Sequence, residues 1–417
     1  MPKLTLHARL SPLAERPYRL LFSATTISTL GDSVANIALA FAVLDLTGDE
    51  KKAPLYLGII FAGRQAANAT LVLLGGVLSD RLPRNRILVG AAVGQAAAQT
   101  ATAAVVLSGH ASLQNLIALQ IVYGAADGFV IPAETGLVPQ TVSPSHLQEA
   151  NALRGMMRNF LFVVGPAIGG AIVVAGSPGV ALAIDAASFV VAALLLSRIR
   201  IPARAAREQT RFFHELRDGW REFTSRTWLW STVVIFGIGN FFFMFWPVLG
   251  PSYAKEELGG AGHWAVILAL NGTGAVLGGV FALRYRPRLP LVACVLWPML
   301  VCLQLVALAL GASTGVLAAA AFFAGAGIAI HLALWFTIFQ REVPERAQSR
   351  VSSYDALGSF VLTPLGLVAA GLIGAGIGLE NAAWLAAGAI LALNLGMLLI
   401  PSVWTVGRKP DATTLPA

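Results

Sequence analysis

Charge is scarce in this sequence. Only 12% of its 417 residues are Asp, Glu, Lys or Arg while 56% are hydrophobic, against roughly 25% charged in an ordinary soluble domain. A water-covered surface cannot be built from so few charges, which excludes a soluble globular protein. Cysteine is nearly absent: Cys294 and Cys302 lie on one apolar run, roughly 12 Å apart at helical rise. That exceeds disulfide reach, so both read as small apolar residues. The 6 histidines are scattered and form no metal constellation. No Gly-rich loop ending in Lys is present, so direct use of ATP is not expected, nor is enzymatic chemistry. Residues 1–18 contain Pro2, Glu15 and Pro17 and lack the apolar core of a cleaved leader. The first apolar run is expected to act as an uncleaved insertion signal.

Long apolar runs are abundant instead. A helix crosses a bilayer with about 20 mostly apolar residues, and such runs fall at 19–46, 55–79, 86–108, 113–138, 147–175, 180–199, 228–250, 263–284, 289–311, 314–340, 351–376 and 381–403. The expected fold class is an all-α polytopic membrane protein with twelve transmembrane helices in two pseudo-symmetric six-helix bundles. Of the 29 basic residues, all but Lys51, Lys52, Lys255 and Arg64 fall at the termini, in even-numbered loops or in the halves of the spans that adjoin them. Basic loops stay cytoplasmic, so both termini are expected there. The net charge of +8 is divided among short loops rather than gathered on one groove. Anionic lipid is therefore the expected partner, and nucleic acid is not.

Two halves echo one another. LFSATTISTLGD from Leu21 matches LWSTVVIFGIGN from Leu229, setting Asp32 opposite Asn240. GGVLSDRLPR from Gly75 is echoed by GGVFALRYRP from Gly278, and GPAIGG from Gly165 by TPLGLVAAG from Thr363. Parallel six-span repeats suit bundles that rock about a central site. The expected organisation is an N-terminal bundle at 1–199, a cytoplasmic amphipathic linker at 200–227, and a C-terminal bundle with a cytoplasmic tail at 228–417. Within the linker Phe212, Phe213, Leu216, Trp220 and Phe223 alternate with charges, as in a helix lying at a membrane surface.

The turn after the second span concentrates Gly75, Gly76, Asp80, Arg81, Pro83, Arg84 and Arg86. Asp80 can accept from arginines or helix-terminal N–H groups, contacts able to hold one arrangement of two bundles and break in the other. With its Gly76, Leu78, Asp80 and Arg81, this turn resembles the loop signature of the major facilitator superfamily, Pro83 standing where the family has Gly. GPAIGG, with Gly165, Pro166, Gly169 and Gly170, is similar to the fifth-helix motif of proton-exchanging exporters in that superfamily. LGDSVANIALAFAVLDLTG, ALRGMMRNFLFVVGPAIGG and RVSSYDALGSFVLTPLGLVAAG resemble the multidrug and macrolide efflux branch, which also includes siderophore exporters. The resemblance covers all twelve spans and implies the major facilitator fold. One departure is Gln120, at the position where many proton-coupled members carry an arginine.

Ionisable groups inside spans are costly and mark function. Asp32 lies deep in the first span and Arg64 in the second, offset by roughly 7 Å along the membrane normal. They read either as a proton-coupling pair or as groups with separate partners. Asp127 reads as a coupling group or an interhelical hydrogen-bond former. Asp185 is expected near the outer boundary. Glu134 is expected to face Arg84 or Arg81 in a conformational gate, and Asp355 to join Arg350 near that gate. Asn36, Asn240, Asn271, Phe241, Phe243, Trp246 and Trp335 are candidate cavity residues. His331 is either a titrating cavity residue or a packing histidine.

These features point to a proton-coupled exporter of amphiphilic or cationic small molecules in a bacterial cytoplasmic membrane. It would act as a monomer driven by the proton motive force, with no cofactor or metal. Two alternatives stand beside it: a specific exporter of an endogenous metabolite or siderophore, and a membrane receptor or scaffold that does not transport.

Overall fold

The computed structural model describes residues 11–47, 52–200, 217 and 220–406. Every described element is helical, because backbone polar groups in hydrocarbon must be satisfied within the helix itself. In chain order α1 is Arg16–Thr47, α2 Ala53–Arg81, α3 Arg84–Leu107, α4 the pair Leu113–Asp127 and Val130–Thr141, α5 Leu147–Ala175 and α6 Pro178–Ser197. The second set begins with α7, Thr227–Phe243 and Trp246–Glu257, then α8, Ala261–Ala282, and α9, Pro290–Leu296 and Val301–Ala309. It ends with α10, Thr314–Glu342, α11, Glu345–Phe360 and Thr363–Ile377, and α12, Leu379–Met397. Among the described residues eleven of these are long and apolar enough to cross a membrane. Helix α2, with 29 residues, is about 43 Å long at helical rise and completes the twelve.

Several spans that read as continuous in sequence are broken, and proline accounts for the positions. A proline lacks the N–H that an interior helical position donates. In α7 the second segment opens on Trp246 and Pro247, in α11 on Thr363 and Pro364, and in α9 a 3-10 turn at Trp297–Leu300 contains Pro298. Each proline sits within the first turn of its new segment, where a missing N–H costs nothing.

Packing divides the chain into two compact units, Met1–Glu208 with Ala254–Ala269, and Gln209–Tyr253 with Leu270–Ala417. Within the first unit, Lys255 Nζ lies 2.6 Å from Asp45 Oδ1, and α6 packs along α1 and α3. Phe212, Phe213 and Leu216 of the linker lie outside the described residues. Within the second unit Trp220 and Phe223 set their rings 5.4 and 5.9 Å from that of Tyr354.

Just ahead of α1, Glu15 ties the chain to the turn between α4 and α5. Its carboxylate accepts from the Ser143 backbone N–H at 2.9 Å and from the Ser143 hydroxyl at 2.8 Å, and it lies 2.9 Å from His146 Nδ1. The His146 hydrogen bond, followed by the Ser143 amide, holds this carboxyl below its ordinary value of 4.5. A lower folded value means that the clamp contributes fully above about pH 4.5 and loosens as pH falls through the folded value. The protection factor of the Ser143 amide against hydrogen exchange is therefore expected to drop below that pH. In Glu15→Gln it should be low and flat across the same range.

Candidate functional site: a buried acid network

Five helices of the first unit each carry two polar side chains one turn apart on an otherwise apolar segment. These are Asp32 and Asn36 on α1, Arg64 and Asn68 on α2, Gln95 and Gln99 on α3, Tyr123 and Asp127 on α4, and Asp185 and Ser188 on α6. Residues three or four apart share a helix face, so each helix presents one polar stripe.

The stripes meet. Arg64 Nη2 lies 3.5 Å from Asp32 Oδ1, and Arg64 Nη1 donates to Asn36 Oδ1 at 3.2 Å. The Tyr123 hydroxyl donates to the same Asp32 oxygen, while the guanidinium carbon sits 4.1 Å from the centre of the Tyr123 ring, a cation–π arrangement. Asp127 accepts from Asn68 Nδ2 at 2.8 Å and from Gln95 Nε2 at 3.2 Å. Asp185 accepts from Gln99 Nε2 at 2.7 Å and from Ser188 Oγ at 3.3 Å. Asp185 is fully buried, whereas the Arg64 and Asp32 side chains keep 18% and 30% of their surface accessible.

Close helix approach makes these contacts possible. A Cβ on Gly31 would stand 2.2 Å from Ser188 Oγ and 2.3 Å from Asp185 Oδ1, so the backbone beside Asp32 rests directly on the α6 acid. A Cβ on Gly124 would fall 2.1 Å from the Arg64 carbonyl oxygen. Only glycine lets α4 come near enough to α2 to set the Tyr123 ring against Arg64.

The GPAIGG segment does the same for α5, whose interior contains Pro166. Cβ atoms on Gly165 and Gly169 would meet Ser33 Cβ at 2.3 Å and Val34 Cα at 2.9 Å, the two residues that follow Asp32. One on Gly170 would meet Ala265 Cβ at 2.2 Å. A Gly165→Val variant is expected to lose about 1–3 kcal/mol through overpacking, seen as a lower unfolding midpoint in detergent. The half-buried Gly155, where a Cβ meets nothing within 4 Å, should accept Ala without such a loss.

Three carboxylates and one guanidinium leave this network with excess negative charge when all are ionised. Like charges repel more strongly where the dielectric constant is low, and burial adds a desolvation cost.

Other sequence expectations resolve differently. Asp185, expected near the outer boundary, joins the network through Gln99 and Ser188, because α6 packs against both α1 and α3. Glu134 was expected to face Arg84 or Arg81; its carboxylate pairs with Arg154 of α5 at 2.6 Å. Arg84 donates to the Gly136 carbonyl at 2.6 Å and to that of Ser79 at 3.2 Å. The side chains of Asp80, Arg81 and Arg350, with Gly76, lie outside the described residues. Gln120 is fully buried, and neither amide atom has a partner among the described residues; the guanidinium of this site comes from α2 instead.

In the second unit, Asn240 Nδ2 donates to the Ser359 carbonyl at 2.9 Å, pinning α7 to α11, and Asn271 Nδ2 donates to the Ala321 carbonyl at 2.9 Å. Trp335 Nε1 donates to Asp355 Oδ2 at 3.0 Å, joining a residue expected in the cavity to one expected at the gate. His331 Nδ1 lies 2.7 Å from the Cys294 carbonyl oxygen, and its ring stands edge-on to Phe236 at 4.7 Å. Phe243 is half-buried and Trp246 buried. Among the described residues no group of three or more His, Cys, Asp or Glu could hold a metal ion.

Sequence reasoning missed Tyr123, Asn68, Gln95, Gln99 and Arg154. The signal was the i, i+4 recurrence of polar residues on apolar helices, which is visible once each helix is read as a face.

The profile of the Major Facilitator Superfamily matches residues 21–366. Macrolide efflux protein A of Streptococcus pyogenes is 19% identical over 368 residues, covering 87% of this chain and 90% of that protein. The uncharacterized MFS-type transporter YkuC of Bacillus subtilis (strain 168) is 24% identical over 291 residues, 66% of each protein. Among solved structures, the peptide transporter POT in complex with sulfate superimposes with a TM-score of 0.75 at 13% identity, over 95% of this chain and 96% of that one. A bacterial homologue of the iron transporter ferroportin, in an inward-facing state, gives a TM-score of 0.71 at 16% identity, over 92% and 98%. Helix count, fold and profile agree: the chain belongs to the Major Facilitator Superfamily and is a multi-pass, secondary-active transporter of small molecules, not an enzyme.

Proposed function

We propose that the protein is a proton-coupled exporter that exchanges protons for amphiphilic or cationic small molecules across a bacterial cytoplasmic membrane. It would work as a monomer with both termini in the cytoplasm. The observation that carries this reading is the set of three carboxylates, Asp32, Asp127 and Asp185, around the single guanidinium of Arg64. A network with fewer cations than acids gains stability by binding protons, and its proton occupancy changes whenever the helices that build it move apart. Asp32, partly accessible and in contact with Arg64, is the natural exchanger; Asp185 is the most enclosed. The similarity to macrolide efflux protein A and the GPAIGG segment packed against Ser33 and Val34 support export by this branch of the superfamily.

In the second unit, aromatic residues such as Trp335 and Phe243, with Asn240, supply surfaces suited to apolar or cationic drugs. Glu134 and Arg84, with Asp80, Arg81, Arg350 and Asp355, are assigned to conformational gating. The deciding experiment is reconstitution into liposomes with imposed pH gradients of either sign and a diverse substrate panel. Expected is substrate flux opposed to, and accompanied by, proton flux. Robust substrate flux with no proton movement would refute the coupling. Transport of one metabolite, insensitive to every drug tested, would favour the specific exporter.

A further inference from the structure

The first unit contains a second polar feature that shares no residue with the acid network. Near the beginning of α1, a cavity of about 260 Å³ opens between α1, the second segment of α4, and α5. Its polar wall comprises Thr26 and Thr29 from α1 and Asn151 and Arg158 from α5. Its floor includes the Glu134–Arg154 pair, closed at 2.6 Å.

The charge and donor inventory gives the cavity a sign. Glu134 is neutralised by Arg154, whereas Arg158 has no ion-pair partner among the described residues. The hydroxyls of Thr26 and Thr29 and the amide of Asn151 likewise have no hydrogen-bond partner among them. Thr25 differs, because its hydroxyl already donates to the Phe22 carbonyl at 3.2 Å. One uncompensated guanidinium and three uncommitted donor groups therefore share a cavity whose carboxylate is already paired. An organic cation would meet Arg158 there with no free acid to receive it. An oxyanion would meet a charge and several donors.

Size narrows the ligand further. The cavity lies below the roughly 300–1,000 Å³ of sites that enclose whole drug-sized molecules, so it suits a headgroup. Phe22, Met157 and Leu161 also line it and offer an apolar wall for the first carbons behind that headgroup.

We propose that this cavity is a binding subsite for the phosphate headgroup of an anionic amphiphile, held by Arg158, Thr26, Thr29 and Asn151. The headgroup belongs either to a membrane phospholipid or to a free phosphorylated amphiphile. The subsite is independent of proton coupling, since it binds at equilibrium and uses none of the network residues.

The test is calorimetric titration of the full chain, in phosphatidylcholine nanodiscs, with hexyl phosphate and with hexyltrimethylammonium as the cationic control. Hexyl phosphate is expected to bind. Arg158→Gln and Thr29→Val are each expected to weaken it about tenfold or more, the effect of losing a hydrogen bond to a charged group, while the unfolding midpoint of each variant stays at the wild-type value. Thr29→Val preserves side-chain volume and every charge, so it tests the subsite even where the arginine variant misfolds. Repeating the titration in phosphatidylglycerol nanodiscs separates the sources. Competition assigns the subsite to lipid headgroups, and unchanged affinity assigns it to soluble amphiphiles. Absence of hexyl phosphate binding, equal affinity in wild type and folded variants, or preference for the ammonium compound would each overturn the proposal.

Discussion

Asp32→Asn is expected to reduce proton-driven transport by about a hundredfold or more, the usual scale for removing a proton-transfer group. The asparagine is nearly isosteric and its amide oxygen can still accept from Tyr123, so the fold and the α1–α4 contact should persist. What disappears is the accessible carboxylate beside Arg64, 3.5 Å away. Reconstituted vesicles loaded with a pH-sensitive dye would report both fluxes. Substrate binding at equilibrium should remain, with substrate-linked alkalinisation or acidification lost. Asp32→Glu keeps the titrating group and should retain measurable coupling. Normal flux and unchanged proton stoichiometry in Asp32→Asn would remove Asp32 from the proton path.

Arg64→Met is expected to be the most destabilising single change in the network, at about 3–5 kcal/mol. Methionine preserves much of the arginine stem's packing, so the loss reports on charge. Without the guanidinium, Asp32, Asp127 and Asp185 surround an apolar group, and Asn36 loses the donor that reaches its side-chain oxygen at 3.2 Å. The 18% accessibility of Arg64 lets solvent screen part of this and places the loss toward the lower end. Adding Asp32→Asn to Arg64→Met should recover part of it, because the second change removes the acid left without its cation. A double-mutant cycle on unfolding midpoints in detergent measures that recovery, with a coupling of about 0.5–3 kcal/mol expected for groups in contact. Strict additivity would show that the two side chains act separately.

Much of the acid network was legible one residue at a time, though its membership was not. Asp32, Arg64 and Asp127 stand out because a charge within an apolar run is costly wherever it points. Asp185 was equally visible, but its partners were not: depth along a helix can be counted from its end, while the neighbour it faces depends on how α6 lies on α1 and α3. Tyr123, Gln95 and Gln99 are uncharged and pass as ordinary helix residues until their i, i+4 partners are considered. The GPAIGG segment was recognised as a motif, yet its contact with Ser33 and Val34, directly beyond Asp32, depends on helix rotation.

Composition and periodicity alone determined that this chain is a helical membrane protein, because lipid demands apolar runs of a set length and self-satisfied backbones. They also determined the twelve spans and the gathering of nearly all basic residues in or beside alternate loops. Tertiary structure decided which polar groups meet. It joined Asp185 to the network, gave Glu134 to Arg154 rather than Arg84, and left Arg158 beside the threonines of α1. Each of these depends on the rotation and close approach of neighbouring helices, set by glycine contacts between segments far apart in the chain, and a one-dimensional pattern does not carry that information.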